Sequence, residues 1–320
     1  MTTNSDIRTG GKPPLVSLVM AAWNPEPRWL REAVASALGQ RGCHVELIVV
    51  DDGSDAPVEE LLTGVKDERL RLLRVHHGRV ARARNAGIEV ARGDWFRFID
   101  CDDVILEDST AHLLSLAGQD DRVVTYGATV VCDENLRPLS TIATDAQGQV
   151  AEACLLNRFA TTVHSLLYPR SVVEEIGPWE PSIVVSQDWD YALRAFERVP
   201  VRGDRRVATH YRLHERMNSR NVPEGIRGYR LVVDRYFDRH PEERGSRLQR
   251  RAEALYHLFA AVQLATSLYR YRAAFAELRR ALARDPLTTL AALPRHGAMP
   301  LLPTGGRWSR LLPRRWRREP

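Results

Sequence analysis

Cysteine is scarce in this sequence, and no pair has the spacing of a metal finger or a redox motif. The four cysteines (Cys43, Cys101, Cys132 and Cys154) stand far apart in a chain of 320 residues, with no Cys-x-x-Cys. The first residues also lack the apolar stretch of a signal peptide. We therefore expect reduced thiols in a cytoplasmic protein, with the inner face of the membrane as an alternative location.

Long hydrophobic runs are absent as well. The longest apolar run without a charged residue covers residues 254–269, and His257, Gln263, Thr266 and Ser267 interrupt it. Because a membrane-spanning helix needs about 20 consecutive apolar residues, we predict none. With 44% hydrophobic and 27% charged residues, the composition is that of a folded protein with one substantial core and a smaller helical part.

Excess charge is missing from most of the chain. Residues 305–320 contain six arginines and one glutamate. The net charge of this segment is therefore +5, the same as that of the whole chain. The balanced remainder excludes a basic nucleic-acid-binding domain, so we expect no nucleic-acid partner. The tail also contains two Trp and two Leu. Two interpretations stay open for it: peripheral contact with an anionic membrane, or a disordered solubilising segment.

Strands alternate with helices through the first hundred residues. After a polar segment, 1–13, that we expect to be disordered, the predicted strands are 15–20, 46–50, 69–75 and 95–99, separated by helices at 29–38, 56–63 and 80–91. This order predicts an α/β fold with right-handed crossovers and a mostly parallel sheet. Further on, we predict strands at 123–131, 165–168 and 207–213 and helices at 188–197, 226–238, 243–268 and 271–284.

Carboxylates follow two of the predicted strands. Asp51 and Asp52 follow one strand, and Asp100, Asp102 and Asp103 follow another. Ligands of open parallel sheets lie beyond the carboxyl ends of the strands, and clustered carboxylates repel one another unless a cation is present. The pattern therefore favours a site for Mn²⁺ or Mg²⁺ with diphosphate. The alternative is that these side chains cap helices or form turns.

Five segments, in order, resemble family 2 glycosyltransferases of the GT-A fold. They are Val16-Ser-Leu-Val-Met-Ala-Ala-Trp-Asn24, Val49-Val-Asp-Asp-Gly-Ser54, Ala83-Arg-Asn-Ala-Gly-Ile88, Arg92-Gly-Asp-Trp95 and Phe98-Ile-Asp-Cys-Asp-Asp103. The resemblance implies a GT-A catalytic domain over residues 14–220, with a nucleotide-sugar half (14–103) and an acceptor half (104–220). A helical region (221–290) and the basic tail (291–320) would follow.

The resemblance assigns the donor site. Ala21 and Trp23 would line the pocket of the base, where the family usually has Pro or Thr and Tyr, and Asp52 would accept the imide N–H of the base. Arg84 would lie near the base and the phosphates. These contacts favour a UDP-sugar, with dTDP- and GDP-sugars as alternatives.

The resemblance also assigns metal and acceptor residues. Asp102 would bind the metal directly, Asp100 would contact the ribose or the metal, and His214 would complete the metal ligands. Asp188 would be the catalytic base and Asp190 its support. The acceptor-side candidates are His164, Gln187 and Trp189; Gln187 replaces a commoner Glu. For Arg97, inside a predicted strand, the pattern offers no role.

Together these residues predict a metal-dependent transfer, with inversion, from a nucleotide-diphosphate sugar to an acceptor hydroxyl. The acceptor would be a saccharide, a lipid-linked glycan or a small molecule. The alternative is a nucleotide-sugar- or glycan-binding module with weakened catalysis. A nicotinamide dehydrogenase is disfavoured because no Gly-x-Gly-x-x-Gly follows the first strand.

Overall fold

The computed structural model describes residues 13–298, which divide into two compact units. Within these bounds, the first unit contains residues 13–150, 160–181 and 194–212, and the second contains 151–159, 182–193 and 213–298. The predictions for residues 1–12 and for the tail 305–320 lie outside the described residues. The predicted domain boundary at residue 220 stays a prediction.

All nine strands of the described residues belong to one sheet in the first unit. The strands are β1 (Leu15–Ala22), β2 (His44–Asp51), β3 (Leu70–Arg74), β4 (Trp95–Asp100), β5 (Val104–Ile105), β6 (Val124–Cys132), β7 (Pro138–Ile142), β8 (Leu166–Pro169) and β9 (Val201–Arg212). Their order is β3-β2-β1-β4-β8-β6-β9-β5, and β7 pairs with β6. The prediction of a GT-A-type α/β fold is confirmed.

The helices of the described residues lie in both units. They are α1 (Pro27–Leu38), α2 (Val58–Leu61), α3 (Arg79–Val90), α4 (Ser109–Ala117), α5 (Ala151–Leu155), α6 (Arg170–Ile176), α7 (Gln187–Arg198), α8 (Val222–Arg239), α9 (Arg247–Thr266), α10 (Tyr271–Arg284) and α11 (Pro286–Ala298). Helices α4, α5, α6 and α11 were not predicted. Pro286 begins α11, consistent with the preference of proline for the first helical turn, and α11 continues to Ala298. The predicted domain boundary at residue 290 stays a prediction.

The half of the sheet from β3 to β4 is parallel, as predicted. Strands β1, β2 and β4 are mostly apolar and buried, which suits strands covered on both faces, whereas β3 at the edge of the sheet contains Arg71 and Arg74 and is only partly buried. The register aligns Ala21 of β1 with Asp100 of β4, and Ala22 with Asp51 of β2. The carboxylates that follow β2 and β4 are therefore brought to the same edge of the sheet.

The other half of the sheet is mixed. Strand β8 is antiparallel to both β4 and β6, whereas β9 is parallel to β6 and antiparallel to β5. Strand β9 begins at Val201, six residues before the predicted start. The prediction missed this part because Arg202, Asp204, Arg205 and Arg206 hide the strand pattern.

Arg97 lies fully buried in β4 and connects three elements of this half. Its guanidinium donates to the backbone oxygens of His164 (2.9 Å) and Ala208 (3.0 Å) and to the hydroxyls of Ser109 and Thr110 (both 2.8 Å). These bonds give Arg97 a structural role that its sequence context did not show. They also fix the backbone at His164, which is part of the site described below.

In the second unit, α9 packs against α8, α10 and α11. The buried positions of α9 include Ala254, Leu258 and Ala261, and Ala274 and Ala281 of α10 are also buried. No helix among residues 13–298 is long and apolar enough to cross a membrane.

Candidate functional site

Two carboxylates at the end of β2 have different surroundings. Asp51 accepts hydrogen bonds from the N–H groups of Ser54 (2.8 Å) and Val58 (3.2 Å), so it orders the turn before α2. Asp52 is almost fully buried; its Oδ1 accepts from the N–H of Gly78 (2.8 Å), and its Oδ2 lies 3.0 Å from Nδ1 of His77. The segment before α3 therefore fixes the carboxylate of Asp52.

His77 also lies beside Trp23, and sequence reasoning missed it. The two ring centroids are 4.8 Å apart, and Trp23 is 52% exposed, whereas Ala21 at the end of β1 is nearly buried. Gly53 permits this arrangement, since it has a φ of +72° and a Cβ there would lie 2.8 Å from the backbone N of His77. The close approach of His77 to residue 53 has no signal in the sequence.

Arg84 of α3 is buried and points toward the end of β4. Its Nη2 donates to Oδ1 of Asp100 (2.7 Å), and its guanidinium lies 4.4 Å from the ring centroid of Trp179. Asn85 exchanges two hydrogen bonds with the backbone of Trp179 (3.0 and 2.8 Å), which fixes that ring. Nε and Nη1 of Arg84 have no hydrogen-bond partner among the described residues. Two buried donors of a permanent cation are thus available for an anion.

Asp100, Asp103 and His164 form a cluster of potential metal ligands. Nδ1 of His164 lies 3.1 Å from Oδ2 of Asp103 and 3.9 Å from Oδ2 of Asp100. The shorter contact lacks the angle of a hydrogen bond, so Oδ2 of Asp103 and both ring nitrogens of His164 have no hydrogen-bond partner within the described chain. The His164 ring is stacked on Tyr211 at 5.3 Å.

The electrostatics of the cluster favour the binding of a cation. Burial, followed by the charges of Asp102 and Asp100, raises the pKa of Asp103 well above its ordinary value. Burial lowers the pKa of His164 to about 4, so its imidazole is neutral at physiological pH. A neutral imidazole and ionised carboxylates are the forms that bind metals, and a divalent cation would relieve the repulsion between the carboxylates.

The residues of this cluster fit a divalent cation. Oδ2 of Asp103 and both ring nitrogens of His164 have no hydrogen-bond partner among the described residues. Nδ1 of His164 lies near Oδ2 of Asp100, and Oδ1 of Asp100 accepts a hydrogen bond from Arg84. Carboxylate oxygens suit Mg²⁺ and Mn²⁺, and an imidazole nitrogen suits transition metals. Both kinds of ligand in the cluster are therefore chemically suited to a divalent cation.

The cluster differs from the predicted ligand set, with Asp100 common to both. Asp102 is partly buried, and its backbone oxygen accepts from Nε of Arg212 (2.7 Å). The N–H of Arg212 donates to Oδ1 of Asp103 (2.7 Å), which orients that carboxylate. His214 belongs to the second unit, where its Nδ1 accepts from the N–H of Arg216 (3.2 Å). The roles of Asp102 and His214 as ligands stay predictions.

His164 was predicted on the acceptor side, and the structure places it in the ligand cluster. A role for it toward the acceptor stays a prediction. The sequence signal that could have found Asp103 is its place in the same Asp-Cys-Asp-Asp run. No such signal marks His164, which is more than 60 residues from Asp100.

The acidic segment at the start of α7 lies in the second unit. Asp190 is fully buried and forms ion pairs with Arg235 (3.2 Å) and Arg239 (3.8 Å) of α8, which supports its predicted structural role. Oδ1 of Asp188 accepts from the N–H of Trp189 (2.9 Å). The ring of Trp189 meets Tyr229 edge-on, with centroids 4.7 Å apart.

Gln187 precedes Asp188 at the first position of α7. Its Oε1 is buried and has no hydrogen-bond partner among the described residues, and the same holds for Nε1 of Trp189. This segment thus presents one carboxylate, one amide oxygen and one indole N–H. They can bind hydroxyl groups, and Asp188 can accept a proton.

The chain is similar to solved structures and to sequence relatives. The structure of S. aureus TarS 1–349 in complex with UDP-GlcNAc matches with a TM-score of 0.57 at 13% identity, covering 86% of this chain and 92% of that one. An uncharacterised glycosyltransferase of Rickettsia felis is 26% identical over 216 residues, which are 65% of this chain and 36% of the relative. The succinoglycan biosynthesis protein ExoO of Rhizobium meliloti is 39% identical over 123 residues, 38% of this chain and 33% of that protein.

The chain spans only about a third of the length of these curated relatives. The family model described as glycosyl transferase family 2 matches residues 17–177 of this chain. That range contains most of β1, all of β2 to β4, the segment before α3 and the Asp100–Asp103–His164 cluster. The chain belongs to glycosyl transferase family 2.

Proposed function

We propose that the chain transfers a sugar from a nucleoside diphosphate sugar, a UDP-sugar in preference to a dTDP- or GDP-sugar, to an acceptor hydroxyl. The observation that carries the proposal is the meeting of Arg84 with the Asp100–Asp103–His164 cluster at the end of β4. The guanidinium of Arg84, with two donors that have no partner among the described residues, lies beside a set of potential metal ligands. Both groups suit a diphosphate. The structural neighbour TarS was solved in complex with UDP-GlcNAc, which supports this donor class.

The donor residues divide by chemistry. Trp23 offers an exposed ring for stacking on the base, and Asp52, held by His77 and Gly78, accepts the imide N–H of uracil. Arg84 donates Nε and Nη1 to the diphosphate. Ala21 lies two positions before Trp23, at the end of β1. We keep it as a proposed contact of the base in the same pocket.

We propose Mn²⁺ or Mg²⁺ as the metal, with Mn²⁺ favoured by the imidazole of His164. Asp100, Asp103 and His164 would hold it, and Asp102 is kept as a further ligand from the sequence prediction. When bound, the metal neutralises charge on the departing diphosphate. The chain's own contribution is to orient Asp100 through Arg84 and Asp103 through Arg212.

Asp188 is the proposed catalytic base. A nucleoside diphosphate needs no general acid to leave once its charge is neutralised, so one base that removes the acceptor proton suffices. A single displacement at the anomeric carbon inverts its configuration. Gln187 and Trp189 would bind the acceptor. The acceptor is proposed to be a saccharide, a lipid-linked glycan or a small molecule. A cytoplasmic location, with contact to the inner face of the membrane through residues 305–320, also remains a proposal.

A donor screen tests the proposal. Nucleotide sugars are incubated with the full chain, Mn²⁺ and a panel of acceptors, and released nucleoside diphosphate is measured. Asp103→Asn should lower both release and the affinity for Mn²⁺ alone, measured by titration calorimetry, whereas the exposed control Asp145→Asn should change neither. Unchanged Mn²⁺ affinity in Asp103→Asn would exclude the proposed ligand set.

Asp188→Asn separates catalysis from binding. Loss of the general base should reduce transfer by roughly 10²- to 10⁴-fold, with donor affinity unchanged. If the wild-type chain binds a UDP-sugar with Mn²⁺ but releases no diphosphate with any acceptor, the binding-module interpretation, to which Gln187 points, replaces the transferase.

A further inference from the structure

The last two helices of the described chain expose large apolar side chains. In α10, Tyr271 (56% exposed), Phe275 (64%) and Leu282 follow one another at intervals of four and seven residues. At 100° per residue these positions fall within about 40° of one another around the helix axis. The buried residues Ala274 and Ala281 lie on a different side. The apolar stripe is therefore not the surface that packs into the second unit.

Helix α11 continues this pattern. Leu287 (74% exposed), Leu290 (56%) and Leu293 are exposed, whereas Thr289 and Ala292 are buried. Only Asp285 separates α10 from α11. We name these six side chains, Tyr271, Phe275, Leu282, Leu287, Leu290 and Leu293, the α10–α11 apolar face. Large apolar side chains exposed on two successive helices indicate an interaction site.

The charges around this face are positive. Arg272 and Arg279 lie about 80° to 100° around the axis of α10 from Tyr271, beside the stripe. Both are exposed and, like Arg270, form no ion pair within residues 13–298. Aromatic and leucine side chains bordered by arginines are typical of helices that lie in a membrane interface.

The nearby acidic groups are already engaged. Glu277 contacts His257 and Arg280, and Oδ1 of Asp285 accepts from the N–H of Thr288 (2.8 Å). A second copy that packed the same face against this one would bring arginines against arginines, because the carboxylates of α10 and of the turn before α11 are engaged. A partner that supplies both an apolar phase and negative charge matches the face. The residues after α11 add six arginines and one glutamate between 305 and 320, which suits the same partner.

We infer that the α10–α11 apolar face docks on a bilayer surface that contains anionic phospholipid. The apolar side chains enter the headgroup boundary while Arg270, Arg272 and Arg279 contact phosphates. This inference does not depend on the proposed transfer reaction. It adds a folded surface to the membrane contact that is one of the two interpretations of residues 305–320.

Vesicle co-sedimentation of the full chain tests the inference. Wild type should bind phosphatidylcholine vesicles that contain phosphatidylglycerol and bind pure phosphatidylcholine weakly. Phe275→Glu and Leu290→Glu should each weaken binding by about tenfold or more, since each removes an apolar side chain that would enter the bilayer. Arg279→Gln should weaken it about fivefold, the effect of one basic residue near an anionic surface. The control Leu139→Glu changes a leucine of the same 56% exposure in β7 and should leave binding unchanged.

A chain that ends at residue 304 distinguishes the helices from the tail. It should retain binding that Phe275→Glu further reduces. Wild-type affinity in both Phe275→Glu and Leu290→Glu, or equal binding to the two vesicle types, would overturn the inference. So would a change of oligomeric mass in these variants by analytical ultracentrifugation without a change in vesicle binding, because the face would then join two copies of the chain. Circular dichroism verifies that each variant is folded.

Discussion

Glu46 lies within β2 in the parallel half of the sheet and is only 2% exposed. Its carboxylate accepts from Ser17 Oγ (2.7 Å), from the N–H of Arg92 (2.6 Å) and from Nε of Arg92 (3.0 Å). Burial alone would raise the pKa of Glu46, but these hydrogen bonds and the charge of Arg92 outweigh it and lower the pKa below the ordinary value of 4.5. Glu46 thus stabilises the fold in its ionised form.

Glu46→Gln should therefore destabilise the protein. A hydrogen bond to a charged group contributes about 1.5–3 kcal/mol, so we expect a loss of about 2 kcal/mol in urea unfolding at pH 7. Because the folded pKa is lower than the unfolded one, the contribution is complete above 4.5 and is lost as the pH falls through the folded pKa. The difference between wild type and variant should shrink in that acidic range. A constant difference down to low pH would contradict this account, and Glu59→Gln, exposed in α2, is the control.

Arg97 is another buried charged residue whose role depends on its hydrogen-bond partners. Burial lowers the pKa of Arg97 to about 9, so it remains charged at neutral pH. Its fork of donors reaches two backbone oxygens and two hydroxyls in different elements. An ammonium cannot match that geometry.

Arg97→Lys should lower the free energy of unfolding by about 3 kcal/mol, the lower end of the cost of breaking a buried charged network. It should also weaken binding of Mn²⁺ alone, since Nε of Arg97 holds the backbone of His164. Thermal melting and titration calorimetry measure the two effects. Arg41→Lys, an exposed arginine before β2, should show neither, and a stable Arg97→Lys variant would refute the structural role of the fork.

At the scale of elements, the packing of α3 on β1 depends on Gly87. A Cβ at this position would lie 2.4 Å from Cγ1 of Val19 and 3.3 Å from Cγ2 of Val50. The helix carries Arg84 one turn earlier. A displaced α3 would thus move the guanidinium away from Asp100.

Gly87→Ala should destabilise the protein by about 1–3 kcal/mol through overpacking and should raise the KM for the donor. The matched control is Gly225→Ala in α8, where an added Cβ meets nothing closer than Val185 Cγ1 at 3.9 Å. That change should be neutral or stabilise by up to about 1 kcal/mol, because alanine favours a helix over glycine. Chemical denaturation and donor kinetics provide the readouts. Equal stability changes in the two variants would show that the α3–β1 distance is not limited by Gly87.

The elements that the sequence predicted best are those with one regular pattern. Strands β1, β2 and β4 are mostly apolar, with one buried charged residue inside β2 (Glu46) and one inside β4 (Arg97), and their bounds differ from the prediction by at most two residues. The prediction truncated strand β9 because charged residues interrupt its pattern. It missed helix α11 because a proline interrupts the helical pattern. Strand β9 tolerates its charged residues because several of them lie at exposed positions of the strand.

At the scale of the whole molecule, the first unit is assembled from three separate chain segments. The last of these contains β9, which pairs with β6 from Val124 to Cys132 and with β5. A fragment that ends before β9 leaves one side of β6 without a partner strand.

A chain that ends at residue 181 should therefore be insoluble or lack a cooperative unfolding transition, whereas a chain that ends at residue 304 should fold like the full chain. Soluble yield and thermal melting by circular dichroism compare the two. A cooperative transition in the shorter chain would mean that β1 to β8 suffice for a stable sheet. A chain that ends at residue 220 tests the predicted boundary of the catalytic domain.

The sequence by itself determined the family, the strand–helix order of the first half, and the carboxylates at the ends of β2 and β4. These follow from local patterns and from the geometry of parallel strands, which brings carboxyl ends to one edge. Only the tertiary structure placed His77 against Asp52, His164 against Asp103, and Arg84 against Asp100. Each pair joins segments that are distant in sequence, and the free energy of their contact depends on burial and orientation, which a local pattern of residues does not encode.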